Sequence, residues 1–357
     1  METSSTHEQY MLRCLELARL GFGQTAPNPM VGSVIVFNNK IIGEGYHHKF
    51  GDSHAEVNAI ESVKDKSLLS ESTLYVNLEP CSHFGKTPPC SELIIQHKIP
   101  RVVIGNVDPN RLVKGKGIEK LKSAGIDVTI GVLKEAGEEL NKRFFMFHQK
   151  NRPYIILKWA QTDDGFIDID RSPTQPHRPT WITNEEARML VHKWRSEEQA
   201  IMVGTNTVFL DNPKLNVRNW TGNHPVRVLI DRSLRLPQNL NLFDGSIPTI
   251  VFTHKEVEPD ENPKVEFVTI PFDEYLPEHM LGELYRRQIQ SLIIEGGAKL
   301  INSFLEANLW EEARVFTGDK FFAAGIDAPK IGLSPHMRES WKDFRLDIFK
   351  QDIASIR

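Results

Sequence analysis

Residues 72–106 read STLYVNLEPCSHFGKTPPCSELIIQHKIPRVVIGN, and the fold follows from how this stretch alternates. STLYVNLE is a short run rich in β-branched and aromatic residues, the composition of a strand. PPCSELIIQH begins on prolines, tolerated at a helix start, and then carries apolar residues at helical spacing. RVVIGN returns to a strand-like run. Strand, helix and strand in this order build parallel sheet.

The alternation continues in both directions. Upstream, Met11, Cys14, Leu15 and Ala18 recur on one helical face, with Ser5 and Thr6 as N-cap candidates and Gly21 as a stop. VGSVIVF and KIIGEGY follow as two strands joined at Asn38 and Asn39, residues that tolerate a tight hairpin turn. SHAEVNAIESV reads as the next helix. Downstream come helix GIEKLKSAGI, strand DVTIGV and a helix through Leu140 to Phe147. The polar stretch His148 to Pro153 reads as a linker, which divides the chain into domains at 1–148 and 152–357. Strand PYIILKWA, helix NEEARMLVHKW, strands QAIMVG, VRVLID, IPTIVFT and SLIIE, and helix AKLINSFLEANL give the second half the same α/β character. The loop from Asp168 to Pro179, with Pro173 and Pro176, is the expected mobile piece.

Composition excludes several classes. The 357 residues are 40% hydrophobic and 25% charged, values of ordinary globular chains. The strictly apolar runs stop at four residues, and METSSTHEQY lacks the charged and apolar regions of a signal peptide, so a cytoplasmic protein without membrane spans is expected. Residues 1–150 hold 18 Lys and Arg against 17 Asp and Glu, and the remainder 25 against 30, so neither half offers a basic nucleic-acid surface. Three cysteines, Cys14, Cys81 and Cys90, are too few for a secreted disulfide framework. Cys14 lies on an apolar helical stripe and reads as core.

Cys81 and Cys90 have a partner in His54. Two thiolates and one imidazole suit tetrahedral zinc, with the fourth position left for water. Glu56, two residues from His54, can flank that water as a proton shuttle. The competing reading makes Ser53 and Glu56 a reciprocal capping box and buries both cysteines. H-x-E followed by P-C at a strand end and a further Cys resembles the signature of zinc-dependent base deaminases. Here eight residues separate the cysteines, where the general pattern has two.

The segment Glu79-Pro80-Cys81 through Pro88-Pro89-Cys90 resembles the zinc motif of the bifunctional riboflavin-biosynthesis pyrimidine deaminase and reductase family. Pro27-Asn28-Pro29-Met30-Val31-Gly32, Gly43-Glu44-Gly45-Tyr46-His47 and Asp108-Pro109-Asn110 follow that family's order, with Arg111 where proline is usual. The resemblance implies a cytidine-deaminase-like α/β/α domain in which Asn28 and His47 contact the pyrimidine. It also puts His83 and Lys86 near the substrate or its phosphate.

In the second half, Glu295-Gly296-Gly297-Ala298 runs from strand into helix, a junction where amides can approach a phosphate, although many such turns use glycine only to turn. The order Lys158-Trp159-Ala160, Trp181-Ile182-Thr183, Arg195, Thr207 through Asp211-Asn212-Pro213, Leu215 with Arg218, and Glu295-Gly296-Gly297 is similar to the same family's reductase domain. That resemblance implies a dihydrofolate-reductase-like fold using NADPH. Trp181, Thr207, Asp211 and the turn Gly297, Ala298, Lys299, Leu300, Ile301, Asn302 and Ser303 would line the cofactor, with Gln161 beside the nicotinamide. Arg195, Leu215, Arg218 and Glu295 would face the ribose phosphate, with Lys158 nearby. Thr162, Asp163, Pro179 and Arg232 depart from the commoner family sequence.

The resemblance thus implies a bifunctional enzyme that deaminates a diaminopyrimidinone ribosyl phosphate and then reduces its ribosyl group, with no nucleic-acid or membrane partner and with homo-oligomerisation left open. The rivals are a deaminase whose reductase half is inactive, a different nucleobase deaminase, and a non-catalytic protein in which zinc is a staple.

Overall fold

In the computed structural model, residues 4–82, 88–170, 180–257 and 262–351 are described. The chain divides into two compact units, Met1–Asn151 and Arg152–Arg357. Among the described residues no helix is long and apolar enough to cross a membrane.

Unit 1 runs α1 (Ser4–Arg19), β1 (Gly32–Phe37), β2 (Lys40–Tyr46), α2 (Ala55–Ser62), β3 (Thr73–Leu78), α3 (Cys90–Gln96), β4 (Arg101–Asn106), α4 (Lys116–Ser123), β5 (Asp127–Ile130), α5 (Lys134–Leu140) and α6 (Lys142–Lys150). Its sheet is ordered β2-β1-β3-β4-β5. The first three strands pair antiparallel, while β3, β4 and β5 run parallel. Asn38 and Asn39, both with positive φ, make the two-residue turn between β1 and β2. Successive strand residues point to opposite faces. Ile35, Leu74, Val76, Val102 and Ile104 pack with Ala59, Ile60, Ile94 and Leu121 of α2, α3 and α4, whereas Val34, Val36, Tyr75 and Val103 pack with Met11 and Cys14 of α1. Helices on both faces are what the near-continuous apolar runs of these strands require.

Local differences from the sequence expectation have identifiable causes. Ser5 and Thr6 lie inside α1, which begins at Ser4. The helix expected through Leu140 to Phe147 breaks at Asn141, whose buried amide accepts from the Met30 N–H at 2.8 Å and donates to the Met30 carbonyl at 2.9 Å. Asn141 bends the helix through its φ of −102° while its backbone keeps the bonds to Gly137 and Phe145, and its side chain ties down the end of the Pro27-to-Met30 loop. His148, Gln149 and Lys150, read as linker, form the end of α6.

Unit 2 runs β6 (Tyr154–Thr162), β7 (Phe166–Asp168), α7 (Glu185–Glu197), β8 (Ala200–Val203), α8 (Thr205–Asp211), β9 (Val226–Ile230), β10 (Thr249–Thr253), β11 (Val265–Thr269), α9 (Leu276–Arg286), β12 (Ser291–Glu295), α10 (Ala298–Glu306), β13 (Glu312–Gly318), β14 (Ile326–Asp327), β15 (Met337–Ser340) and β16 (Phe344–Lys350). Nine of these strands form one sheet, ordered β11-β10-β9-β8-β12-β6-β13-β16-β15. It is parallel from β11 to β13, and β16 and β15 close it antiparallel. β13 escapes a reading by apolar pattern because Glu312 and Arg314 interrupt it. Both are buried and paired to each other at 2.6 Å, with the Arg314 guanidinium 4.6 Å from the Trp194 ring centroid. The central strand β12 is buried at all five positions and delivers Glu295 to the start of α10.

Candidate active sites

Three elements of unit 1 converge on one point. His54 is the N-cap residue of α2, Cys81 follows β3, and Cys90 opens α3. Their ligand atoms lie within 4.8 Å of one another. His54 Nδ1 is 3.5 Å from Cys81 Sγ and 3.3 Å from Cys90 Sγ. Zinc bonds of about 2.0 Å to nitrogen and 2.3 Å to sulfur at tetrahedral angles put N and S about 3.5 Å apart, so the cluster already has the dimensions of a zinc site. The Cys90 N–H donates to Cys81 Sγ at 3.3 Å, which supports a thiolate there. The Cys90 thiol, as a further donor, holds Cys81 well below its usual range, while Cys90 itself is pushed up. The bond to Cys81 raises His54 to about 9.

The capping box does not form: α2 has no side-chain cap bond, and Glu56 is buried instead of reaching back to Ser53. Burial raises its carboxyl to about 7, against the opposing charge of His54. Gly45 brings α2 to this position. A Cβ there would lie 2.3 Å from the Ala59 nitrogen and 2.7 Å from the Ala55 carbonyl, so β2 and α2 touch backbone to backbone. Asn28 Nδ2 and His47 Nε2 are 3.1 Å apart, and His47 Nδ1 is 3.1 Å from the Ser53 carbonyl oxygen. The His47 and His54 rings meet edge-on at 5.7 Å, so Asn28 and His47 border the cluster. His83 and Lys86 lie outside the described residues, as do residues 171–179 of the expected mobile loop.

Sequence reading missed Glu79. Its buried carboxylate accepts the backbone N–H groups of Asp108, Gly115, Gly117 and Ile118 at 3.2, 3.0, 2.9 and 3.4 Å. The Gly115-Lys116-Gly117 segment thus wraps an anion of the chain itself. Gly117 is required there, since a Cβ would lie 2.0 Å from the Pro80 carbonyl. The signal was present: a buried acidic residue just past a fully buried strand, two positions before Cys81.

In unit 2, Glu295 gathers the expected cations. Arg195 donates Nη2 to Oε2 at 2.7 Å and Nε to Oε1 at 3.1 Å, and Lys158 Nζ stands 3.8 Å from Oε2. Burial opposes the Glu295 charge, but Arg195, Lys158 and the Arg195 bonds prevail and hold its carboxyl at about 2. Arg195 and Glu295 therefore bond each other at the end of β12, and that pair fixes the direction of the Glu295 carboxylate. Arg218 is exposed, bonds its Nη1 to Asn216 Oδ1 at 3.2 Å, and has no carboxylate partner among the described residues. Leu215 is 3% exposed and contributes packing and backbone, not an open side chain.

Gly296 and Gly297 have φ of +70° and +78°, and Cβ atoms on them would lie 3.0 and 3.4 Å from the Thr207 side chain. The turn at the α10 N-terminus therefore packs against Thr207 in a conformation and at a distance that suit glycine. Asp211 lies one turn further along the same face of α8. Of the expected cofactor turn, Leu300 and Ile301 belong to the hydrophobic core, which leaves backbone as their only offering. Ala298, Asn302 and Ser303 are half-buried, Lys299 is exposed, and the Ser303 hydroxyl donates to the Leu300 carbonyl at 2.7 Å. Gln161 accepts the Trp159 indole N–H at 2.8 Å. Trp181 is half exposed beneath the Arg188 guanidinium. Thr162 closes the β6–β7 turn by accepting the Phe166 N–H at 3.0 Å, which explains a hydroxyl at this departure. Arg232 lies over the Phe272 ring.

A His/Cys/Cys cluster beside a buried glutamate, and a parallel sheet whose Gly296-Gly297 turn follows a buried carboxylate paired to cations, fit a two-domain enzyme that combines base deamination with reduction. Residues 4–106 match the family described as cytidine and deoxycytidylate deaminase zinc-binding region, and residues 153–331 match the RibD C-terminal domain. Riboflavin biosynthesis protein RibD of Aquifex aeolicus is 41% identical over 329 residues, spanning 91% of this chain and 90% of that protein. The Escherichia coli RibD is 34% identical over 354 residues, spanning 93% and 92%. The crystal structure of a diaminohydroxyphosphoribosylaminopyrimidine deaminase/5-amino-6-(5-phosphoribosylamino)uracil reductase from Thermotoga maritima superposes with a TM-score of 0.85 at 38% identity, covering 97% of this chain and 99% of that one. An Acinetobacter baumannii RibD structure gives 0.85 at 30% identity, covering 97% and 99%. The chain belongs to the riboflavin biosynthesis protein RibD family, with a cytidine-deaminase-like domain followed by a dihydrofolate-reductase-like one. It is a bifunctional deaminase and reductase of riboflavin biosynthesis.

Proposed function

We propose that unit 1 removes the C2 amino group of 2,5-diamino-6-ribosylamino-4(3H)-pyrimidinone 5′-phosphate and that unit 2 reduces the ribosyl group of the product with NADPH. The observation that carries this reading is the zinc-sized spacing of His54, Cys81 and Cys90 beside a buried Glu56. Those three side chains would hold the zinc, which when bound supplies a nucleophilic water at neutral pH. Glu56 takes the proton that this water gives up and hands it to the departing amino nitrogen, so ammonia leaves as the ring carbonyl forms. Its raised carboxyl suits both halves of that transfer near neutrality. Asn28 and His47 orient the pyrimidine through their polar edges, and the family resemblance assigns His83 and Lys86, outside the described residues, to the substrate or its phosphate.

When bound in unit 2, NADPH would supply the hydride that reduces C1 of the ring-opened ribosylamine, the imine nitrogen taking a proton from water. The Gly296-Gly297 junction, Thr207 and the first amides of α10 would hold the cofactor's phosphates, with Asp211, Trp181 and Gln161 along its length. Arg218 offers its fork to the substrate phosphate, while Arg195 and Lys158 orient Glu295 toward the sugar hydroxyls. A coupled assay on the zinc-loaded chain tests both halves. Ammonia release from the diaminopyrimidinone, followed by substrate-dependent loss of NADPH absorbance, is expected. Absence of ammonia from folded, metal-replete protein refutes the substrate assignment, and ammonia without NADPH oxidation refutes the reductase half.

A further inference from the structure

The backbone that carries Arg218 is held in place by α7. Leu215 adopts a left-handed conformation at φ +49°, unfavourable for a residue with a branched side chain, and its side chain is buried. Such a conformation persists only when neighbours fix it. The Arg195 Nη1 donates to the Asn216 carbonyl at 3.4 Å, the Val217 N–H to His224 Nδ1 at 3.1 Å, and the Arg218 N–H to His192 Nδ1 at 3.4 Å. His192 and Arg195 lie three residues apart on α7, so one helix face grips both sides of the turn.

His192 is 2% exposed, and a buried imidazole is costly unless its polar atoms are used. Accepting from an N–H requires an unprotonated Nδ1. Burial, together with the charges of Arg195 and Arg218, lowers the ring to about 4 and keeps it neutral, outweighing the opposite pull of Glu295. The chain thus spends a buried neutral histidine on the main chain of the very residue whose guanidinium lacks a carboxylate partner among the described residues.

We infer that His192 is a positioning residue of the reductase, holding the Arg218 backbone so that its guanidinium meets the substrate phosphate. This rests on the reading of Arg218 as a phosphate ligand, and the test separates the two. His192→Leu, His192→Asn, Arg218→Ala and the Leu/Ala double variant are compared as full-length chains, by NADPH oxidation with the 5-amino-6-ribosylaminouracil 5′-phosphate. Ammonia release by the deaminase domain and the KM for NADPH are measured on the same samples.

Losing one hydrogen bond that orders a charged group is worth roughly tenfold in affinity. His192→Leu should therefore raise the substrate KM about tenfold, with kcat and the KM for NADPH little changed. His192→Asn, whose amide oxygen can take the place of Nδ1, should recover most of that loss. The double variant should bind no worse than Arg218→Ala alone. If Arg218→Ala raises KM and His192→Leu does not, the inference fails while the phosphate reading stands. If His192→Leu damages kcat and both KM values together without rescue by asparagine, the residue is structural only and the inference again fails. An unchanged KM in Arg218→Ala removes the phosphate reading and the inference with it.

Discussion

Arg195 and Glu295 close a two-bond fork, 2.7 and 3.1 Å long, between helix α7 and the end of strand β12. The fork makes folding of unit 2 sensitive to acid. The Glu295 carboxyl sits at about 2 in the folded chain, against an ordinary 4.5, so its contribution is present above 4.5 and is lost as pH falls from there through 2. The shift corresponds to at most about 3 kcal/mol, part of which is offset by Lys158, whose charge burial disfavours. Urea unfolding of the native chain and of Glu295→Gln from pH 7 to 3 checks this. The stability difference between them should shrink as the medium becomes acidic, and a constant difference would show that the pair contributes no net pH-dependent stability.

Glu56→Gln removes a proton carrier while leaving His54, Cys81 and Cys90 intact. Zinc content should stay near one per chain, and the rate of ammonia release should drop by roughly 10²–10⁴, the usual worth of a general acid–base group. Metal analysis and a single-turnover ammonia assay on the same preparation decide it. A variant with full zinc and an undiminished rate removes Glu56 from the mechanism.

Cys81→Ala takes away a ligand and also the acceptor of the Cys90 N–H. Zinc and deamination should both be lost. NADPH oxidation with supplied aminouracil substrate should continue, because the reductase residues belong to a separate compact unit. Retention of stoichiometric zinc would sink the ligand assignment.

The chemistry of this chain was legible where it rested on rare residue types at fixed positions, such as His54, Cys81 and Cys90, or on the two glycines between β12 and α10. The apolar runs of β1, β3, β4, β8, β9, β10 and β12 were legible for the same reason, since strands buried on both faces need little polar alternation. What escaped was polar structure that is paired inside. β13 hides behind the Glu312–Arg314 pair, the helix break hides behind Asn141, and His192 looks like any polar residue of an amphipathic helix until the Arg218 backbone is seen against it. The Arg195–Glu295 fork joins residues one hundred positions apart, and no local pattern shows that these two side chains also bond each other.

Glu79 gives the sharpest case of a residue that works without touching the metal cluster. Its carboxylate collects four backbone N–H groups from the segment 108–118, and it lies two residues before Cys81, so it fixes where the Pro80-Cys81 turn begins. Glu79→Gln keeps the volume but turns an NH2 group toward two of those donors, leaving them without an acceptor in a buried place. The expected cost is roughly 2–4 kcal/mol of stability, read by urea unfolding of the metal-free protein. If the turn then loosens, zinc affinity should fall about 10- to 100-fold, as for other residues that orient ligands from behind. Competition with a chelator measures that fall. Lost stability with unchanged zinc affinity would mean that Glu79 braces the fold alone and that Cys81 is held by α3 and its own bond to the Cys90 N–H.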